Sequence, residues 1–187
     1  QEAVKLLAIP GQENNPKGHY ACGLALVNMR DLVVADIEQN AERLEAARVK
    51  ALESNQRLTQ AWALADMYLQ RALELAPDDP EIMTSVAMFY VAQAERVSTE
   101  AVKNDLHQAA ETLFKGFLER NKDSIQARID YARLLGYLNR INEALAMMEA
   151  AVEQSPDNTD VRTLLGELYA QRGDRALAEE QFLRVKS

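Results

Sequence analysis

The last segment of the chain, TDVRTLLGELYAQRGDRALAEEQFLRV, carries its apolar residues as two helical faces on either side of Arg172-Gly173-Asp174. That is the pattern of a helix–turn–helix hairpin. Another hairpin precedes it and turns over Leu138-Asn139-Arg140. Pro156 divides the two, because proline cannot continue a helix and restrains the residue before it. Pro77-Asp78-Asp79-Pro80 marks a boundary further upstream. Between these boundaries lies FYVAQAERVSTEAVKNDLHQAAETLF, residues 89–114, which reads as the middle of a third hairpin yet contains no Gly and no Pro. Residues 1–34 form an N-terminal segment. QEAVKLLA reads as the tail of a helix from an earlier unit. Residues 9–18 are loop by composition. HYACGLALVNMRDLVV is apolar with helical character and runs toward the helix that follows, since a strand there would lack a partner.

The two C-terminal hairpins share one frame. Leu165-Gly166-x-x-Tyr169 followed by Ala178-x-x-x-Phe182 has a counterpart thirty-four residues earlier, where Tyr131-Ala132-x-x-Leu135 is followed by Ala144-x-x-x-Met148, Ala151 and Pro156. This resembles the tetratricopeptide repeat, a helix–turn–helix unit. One departure is that Arg128 and Arg162 stand where an aromatic often sits early in the first helix. Gly166 and Ala132 let the helices of a unit approach, Ala144 and Ala178 fill the matching place on the second helix, and larger residues fill the gaps between units. The resemblance implies an all-α fold, a right-handed α-solenoid of antiparallel helix hairpins.

Aligned on Val86-Ala87-x-x-Tyr90, the unit starting at Pro80 has its second-helix alanine eleven residues late, at Ala110-x-x-x-Phe114. Eleven residues are about three helical turns, so the apolar faces keep their register. A turn at Asn104-Asp105 would give the whole excess to the first helix and leave apolar residues unpaired beyond its partner. A turn near Val97-Ser98-Thr99 shares the excess, and a hydroxyl there can cap the next helix with Glu100 in its first turn. The shared placement fits better. The same frame moved back forty-five residues puts Ser54 in the place of Thr99 and predicts helices over 35–52 and 55–76. The expected units are therefore 35–79 and 80–124, both lengthened, then 125–158 and 159–187. Residues 50–56 and 95–101 would tip a taller edge, a second candidate contact surface beside the groove.

Composition narrows the function. Apolar residues are 48% of the chain and aromatics only 6%, as suits helices packed through small side chains. A net charge of −8, without a Lys/Arg cluster interleaved with aromatics, argues against nucleic acid and anionic membrane surfaces. No run is long enough to span a bilayer. One cysteine, Cys22, makes no internal disulfide and leaves the compartment open between cytoplasm and periplasm, and a start at Gln1 leaves room for a signal or anchor ahead of it. His19 and His107 are far apart in sequence, and no metal-binding, phosphate-loop or nucleophile-elbow spacing occurs, so no metal, cofactor or catalytic residue is assigned. Glu42, Glu45, Arg43 and Arg48 read as exposed ion pairs.

What remains is binding. The resemblance places the first helix of each unit on a concave face, with Thr84, Met88, Ile129, Arg133, Tyr137, Thr163 and Glu167 lining a groove. An Arg beside a Tyr suits recognition of a protein or peptide. The clamp by which some relatives hold chaperone C-termini is absent, since its positions carry Thr84, Met88, Asp130, Gln126 and Leu164. The expected function is a non-catalytic scaffold or adaptor. Alternatives are an accessory chaperone of assembly, secretion or cytochrome maturation, roles often served by small bacterial proteins of this type, and a regulatory segment of a larger protein. A further alternative is a homo-oligomer formed through Phe182, Leu183 and Val185 of the last helix, whose terminal position leaves an apolar face without a capping helix.

Overall fold

The computed structural model describes residues 13–40 and 46–186, with side chains described over 13–28 and 60–185. Eight helices and no strand occur among the described residues. They are α1 (Pro16–Asn40), α2 (Ala46–Leu75), α3 (Pro80–Ala94), α4 (Glu100–Arg120), α5 (Ile125–Tyr137), α6 (Ile141–Gln154), α7 (Thr159–Arg172) and α8 (Arg175–Lys186). The chain divides between Ser98 and Thr99 into two compact units.

In the first unit, α1 begins at a capped turn. Asn15 Oδ1 accepts from the backbone N–H groups of Lys17 and Gly18, and Pro16 takes the first helical position, where a missing N–H costs nothing. Gly23 lets α1 lie close on α2, because a Cβ there would meet Leu69 Cγ at 2.6 Å. The contacts of His19 with Tyr68 and of Asn14 with Arg71 make this pair antiparallel. Asp79 caps α3 by accepting from the N–H groups of Glu81 and Ile82. The core joining α2 to α3 is aromatic: Trp62 stacks on Phe89 at 4.9 Å, with the Arg96 guanidinium 4.6 Å from the indole centroid. Cys22 is buried in this unit and its thiol pKa is pushed up by that burial, which makes it a poor nucleophile.

Two expectations about this region need correction. Helix α2 runs unbroken through Ser54-Asn55, so no turn divides 35–52 from 55–76, and residues 50–56 tip no edge. The physical reason is that Ser and Asn in a helix interior cost only tenths of a kcal/mol relative to strong formers, about 0.5 at most, and nothing nearby forbids continuation. The expected loop over 9–18 also gives way to helix at Pro16, so the described part of the N-terminal segment is mainly the start of α1. The other expected features of residues 1–12 and 41–45 lie outside the described residues. Further on, the helix break falls at residues 95–99, not at Asn104-Asp105. Thr99 takes the N-cap backbone conformation but makes no side-chain cap hydrogen bond.

In the second unit, α4 packs on α5, and α5 to α8 follow as two hairpins in which α5 also touches α7. Ser124 caps α5 and Asn158 caps α7, each through its side chain. Both hairpin turns close on a left-handed residue, Asn139 (φ 60°) and Gly173 (φ 98°). In each, the N–H of the residue after the left-handed one reaches back: Arg140 to Leu135 O and Asp174 to Tyr169 O, both at 2.8 Å. Ala127, Ala132, Ala144, Phe114 and Met148 are fully buried. Gly166 has the predicted role, since a Cβ there would strike the Phe182 ring of α8 at 2.6 Å.

The two departures from the repeat pattern turn out to be one device used twice. Arg128 donates to Lys122 O and Gln154 Oε1. Arg162 donates to Pro156 O at 2.5 Å and to Gln181 Oε1 at 3.0 Å. Each arginine ties the turn before its own helix to the second helix of its unit. Arg162 does so while only 8% exposed.

Candidate interaction site

Helices α5 and α7 lie side by side and point the same way. Gln171 Nε2 donates to Gly136 O at 3.3 Å, and a Cβ at Gly136 would meet Leu168 at 3.1 Å, so their C-terminal ends coincide. Because α5 is packed by α4, α6 and α7, only a narrow strip of it is left to solvent. That strip runs Gln126, Asp130, Arg133, Tyr137. Arg133 is exposed and sits 3.8 Å from Asp130, to which Gln126 also donates at 3.1 Å. Tyr137 is 54% exposed. Ile129, expected in the groove, is only 1% exposed and belongs to the core, one position off the strip. On α7, Glu167 is exposed and Thr163 half-buried, with its hydroxyl turned back to donate to Thr159 O at 2.7 Å. In the first unit, Thr84 is half-buried on α3 and Met88 is 47% exposed.

A cavity that the sequence reading missed opens beside Tyr137. Its volume is about 820 Å³, and its walls are Asn104, His107, Gln108, Glu111 and Lys115 of α4 with the α5–α6 turn, Tyr137 to Arg140. Its origin is the length of α4. Phe114 stacks on Tyr131 at 5.5 Å, and the His107 ring meets Tyr137 edge-on at 6.3 Å. Residue numbers thus fall along α4 as they rise along α5, and α5 ends at Tyr137. The turns of α4 before His107 therefore project past the end of α5. Glu100, Ala101, Val102, Asn104 and Asp105 of that projection are exposed.

The floor is a charged knot. Tyr131 Oη donates to Glu111 Oε2 at 3.1 Å, Lys115 Nζ lies 3.1 Å from the same oxygen, and Arg140 donates to Oε1. Arg140 also pairs with Glu143 at 2.6 Å. Burial raises the Glu111 pKa, but the hydrogen bonds from Arg140 and Lys115 outweigh it and hold the carboxyl below the usual glutamate range. Burial, and then the Glu111 charge, push the Tyr131 phenol up. Hydrogen bonds to its two glutamates raise the Arg140 guanidinium. A similar Tyr–Glu pair recurs between α7 and α6, where Tyr169 donates to Glu149 at 2.7 Å and burial pushes its phenol up to about 12. The sequence signal for the cavity was available: His107 and Glu111 stand one turn apart on the lengthened helix. Among the described residues no group of side chains could hold a metal ion, and no helix is long and apolar enough to cross a membrane.

Comparison with known proteins fits this geometry. Residues 137–186 match the tetratricopeptide repeat family. The chain is 29% identical over 118 residues to anaphase-promoting complex subunit 3 of Schizosaccharomyces pombe, a match spanning 63% of this chain but only 16% of that protein. Among solved structures, the MamA RS-1 ArsTM double mutant superimposes with a TM-score of 0.54 at 14% identity, over 92% of this chain and 74% of the other. YrrB, described as a TPR protein with an unusual peptide-binding site, has a TM-score of 0.49 at 18% identity, over 99% and 91% of the respective chains. At these identities the likeness is one of fold. The fold is all-α and of the tetratricopeptide-like α-solenoid class, and residues 137–186 are similar to the tetratricopeptide repeat family.

Proposed function

We propose that this protein is a non-catalytic interaction scaffold that holds a peptide or protein segment on the exposed strips of α5 and α7. The supporting observation is the contrast along those helices. Ala132, Leu134, Leu135, Leu164 and Leu165 are buried, while Arg133, Tyr137 and Glu167 stay exposed on a rigid, capped frame. A surface fixed in this way binds with little ordering cost on its own side. Fluorescence anisotropy with peptides enriched from a random display library tests the reading. Selected peptides should bind wild type, and Arg133→Ala/Tyr137→Ala should weaken them. No enrichment on wild type, or equal affinity in the variant, would count against it.

A second reading, contact between copies through α8, has its own support. Leu177, Phe182 and Leu183 are exposed there, Leu183 to 60%, around a hollow of about 330 Å³ lined by Ala170, Arg175, Ala178, Glu179, Phe182 and Leu183. Glu179 stands where α6 carries the buried Leu145, so this end is partly polar. Light scattering over a concentration series separates the readings: a monomer throughout would remove the self-association reading.

A further inference from the structure

The geometry points to a symmetric contact between two copies of this chain, in which α8 packs antiparallel on α8 and Arg175 of each copy pairs with Glu179 of the other. This inference rests on the self-association reading above and says which side chains would set its register. Three observations carry it.

The first is a cation and an anion left over. Arg175 and Glu179 are exposed, stand one turn apart on α8 and border the same hollow. Neither side chain forms a hydrogen bond or ion pair among the described residues. Arginine four residues ahead of glutamate is the weaker order for a pair within one helix. The stronger order is used beside it, where Glu180 and Arg184 pair at 2.8 Å.

The second is what an occupant of this face must bring. Glu179 takes the place that Leu145 fills on α6, where that leucine is buried. Covering the α8 face with an apolar helix would bury the Glu179 charge unpaired, which is costly. The occupant must offer a cation to Glu179, an anion to Arg175 and apolar surface to Leu183. A second copy of the same face offers all three.

The third is register. A two-fold contact needs a patch complementary to itself. With the axis crossing α8 midway between Arg175 and Glu179, each arginine faces the glutamate of the other copy, twice per dimer. The two residues are about 6 Å apart along the helix. Leu183 lies a further turn along the same face and is 60% exposed. The same symmetry carries it past the start of the second copy's α8, over the end of its α7. There Ala170 lines the hollow of about 330 Å³. Each copy thus supplies one projecting leucine and one hollow. A parallel, in-register pairing would instead set arginine against arginine.

The test is sedimentation equilibrium of the full chain over a concentration series, with circular dichroism melts to confirm that each variant folds. Wild type should pass from monomer to dimer. Arg175→Glu and Glu179→Arg should each raise the dissociation constant by about tenfold or more, because two attractive pairs become two repulsive ones. An equal mixture of these two variants should recover the dimer, since the copy with two acids then meets the copy with two bases. Leu183→Ser should weaken it as well. Charge variants that stay monomeric when mixed would overturn the Arg175–Glu179 pairing. A dimer that tolerates both reversals but is lost in Leu183→Ser would overturn the register and leave contact through α8 standing. A dimer indifferent to all three changes, or a monomer at every concentration, would remove the inference and the self-association reading together.

Discussion

Glu111 is the best place to test the energetics of the second unit. Its side chain is 13% exposed and accepts from Tyr131, Lys115 and Arg140. Replacing it with Gln keeps the shape and removes the charge. The Lys115 contact contributes little, because that ammonium is 57% exposed and screened. Arg140 keeps Glu143, so it is not left unpaired. The main loss is the hydrogen bond from Tyr131 to a charged acceptor together with half of the Arg140 pairing, partly offset by relief of carboxylate desolvation. A net cost of about 1–2 kcal/mol follows. The sign of the pH dependence is fixed by the lowered pKa in the folded state. A carboxylate with a depressed folded pKa contributes stability above its unfolded value, about 4.3, and that contribution fades as pH falls through the folded pKa. Urea denaturation of wild type and Glu111→Gln across acidic to neutral pH should therefore show a gap that is full near neutrality and closes in acid. A cycle with Tyr131→Phe should show coupling of about 0.5–2 kcal/mol. Equal stabilities at neutral pH, or a gap that does not change with pH, would refute the reasoning.

Further outcomes are expected elsewhere. Gly23→Ala should destabilise by about 1–2 kcal/mol, because the new Cβ meets Leu69 and the Ala65 carbonyl while the helix-propensity gain is only partial compensation. Gly116→Ala is the control: its Cβ would meet only Arg120 Nη1 at 3.6 Å, so the unfolding free energy from denaturation curves should be unchanged or raised by up to about 1 kcal/mol. Asn139→Ala should cost about 1 kcal/mol for its left-handed backbone, whereas Asn139→Gly should be tolerated, both read from melting curves. Arg162→Ala should cost about 2–4 kcal/mol by leaving Pro156 O and Gln181 unpaired in the interior, and Arg128→Ala, at the more exposed copy of the device, should cost less.

Much of the C-terminal frame was legible because its signals are local. The turns at Asn139 and Gly173, the boundaries at Pro77-Asp78-Asp79-Pro80 and Pro156, and the small residues at Ala132, Ala144 and Gly166 each dictate backbone or contact distance by themselves. Ser54-Asn55 misled because weak helix formers resemble a turn when no stronger breaker is present. Ile129 misled because a face is set by which neighbours pack on α5, and one position along a helix is enough to move a side chain from strip to core. The pairing of Arg128 with Gln154 and Arg162 with Gln181 was hidden for a related reason. A long side chain that reaches another element leaves no periodic trace in its own. The cavity combined both problems. Its wall exists because α4 outruns α5, a consequence of the eleven-residue excess, but its lining depends on long-range contacts of Glu111 with Arg140 and of His107 with Tyr137.

The central claim of the proposed function is that a peptide or protein segment is held by the second unit along the α5 and α7 strips. Backbone amide spectra of nitrogen-15-labelled protein, titrated with an enriched peptide, test it most directly. Shifts should concentrate at residues 126–137 and 163–167. Shifts confined to α6, to the outer face of α8 or to the first unit would contradict it.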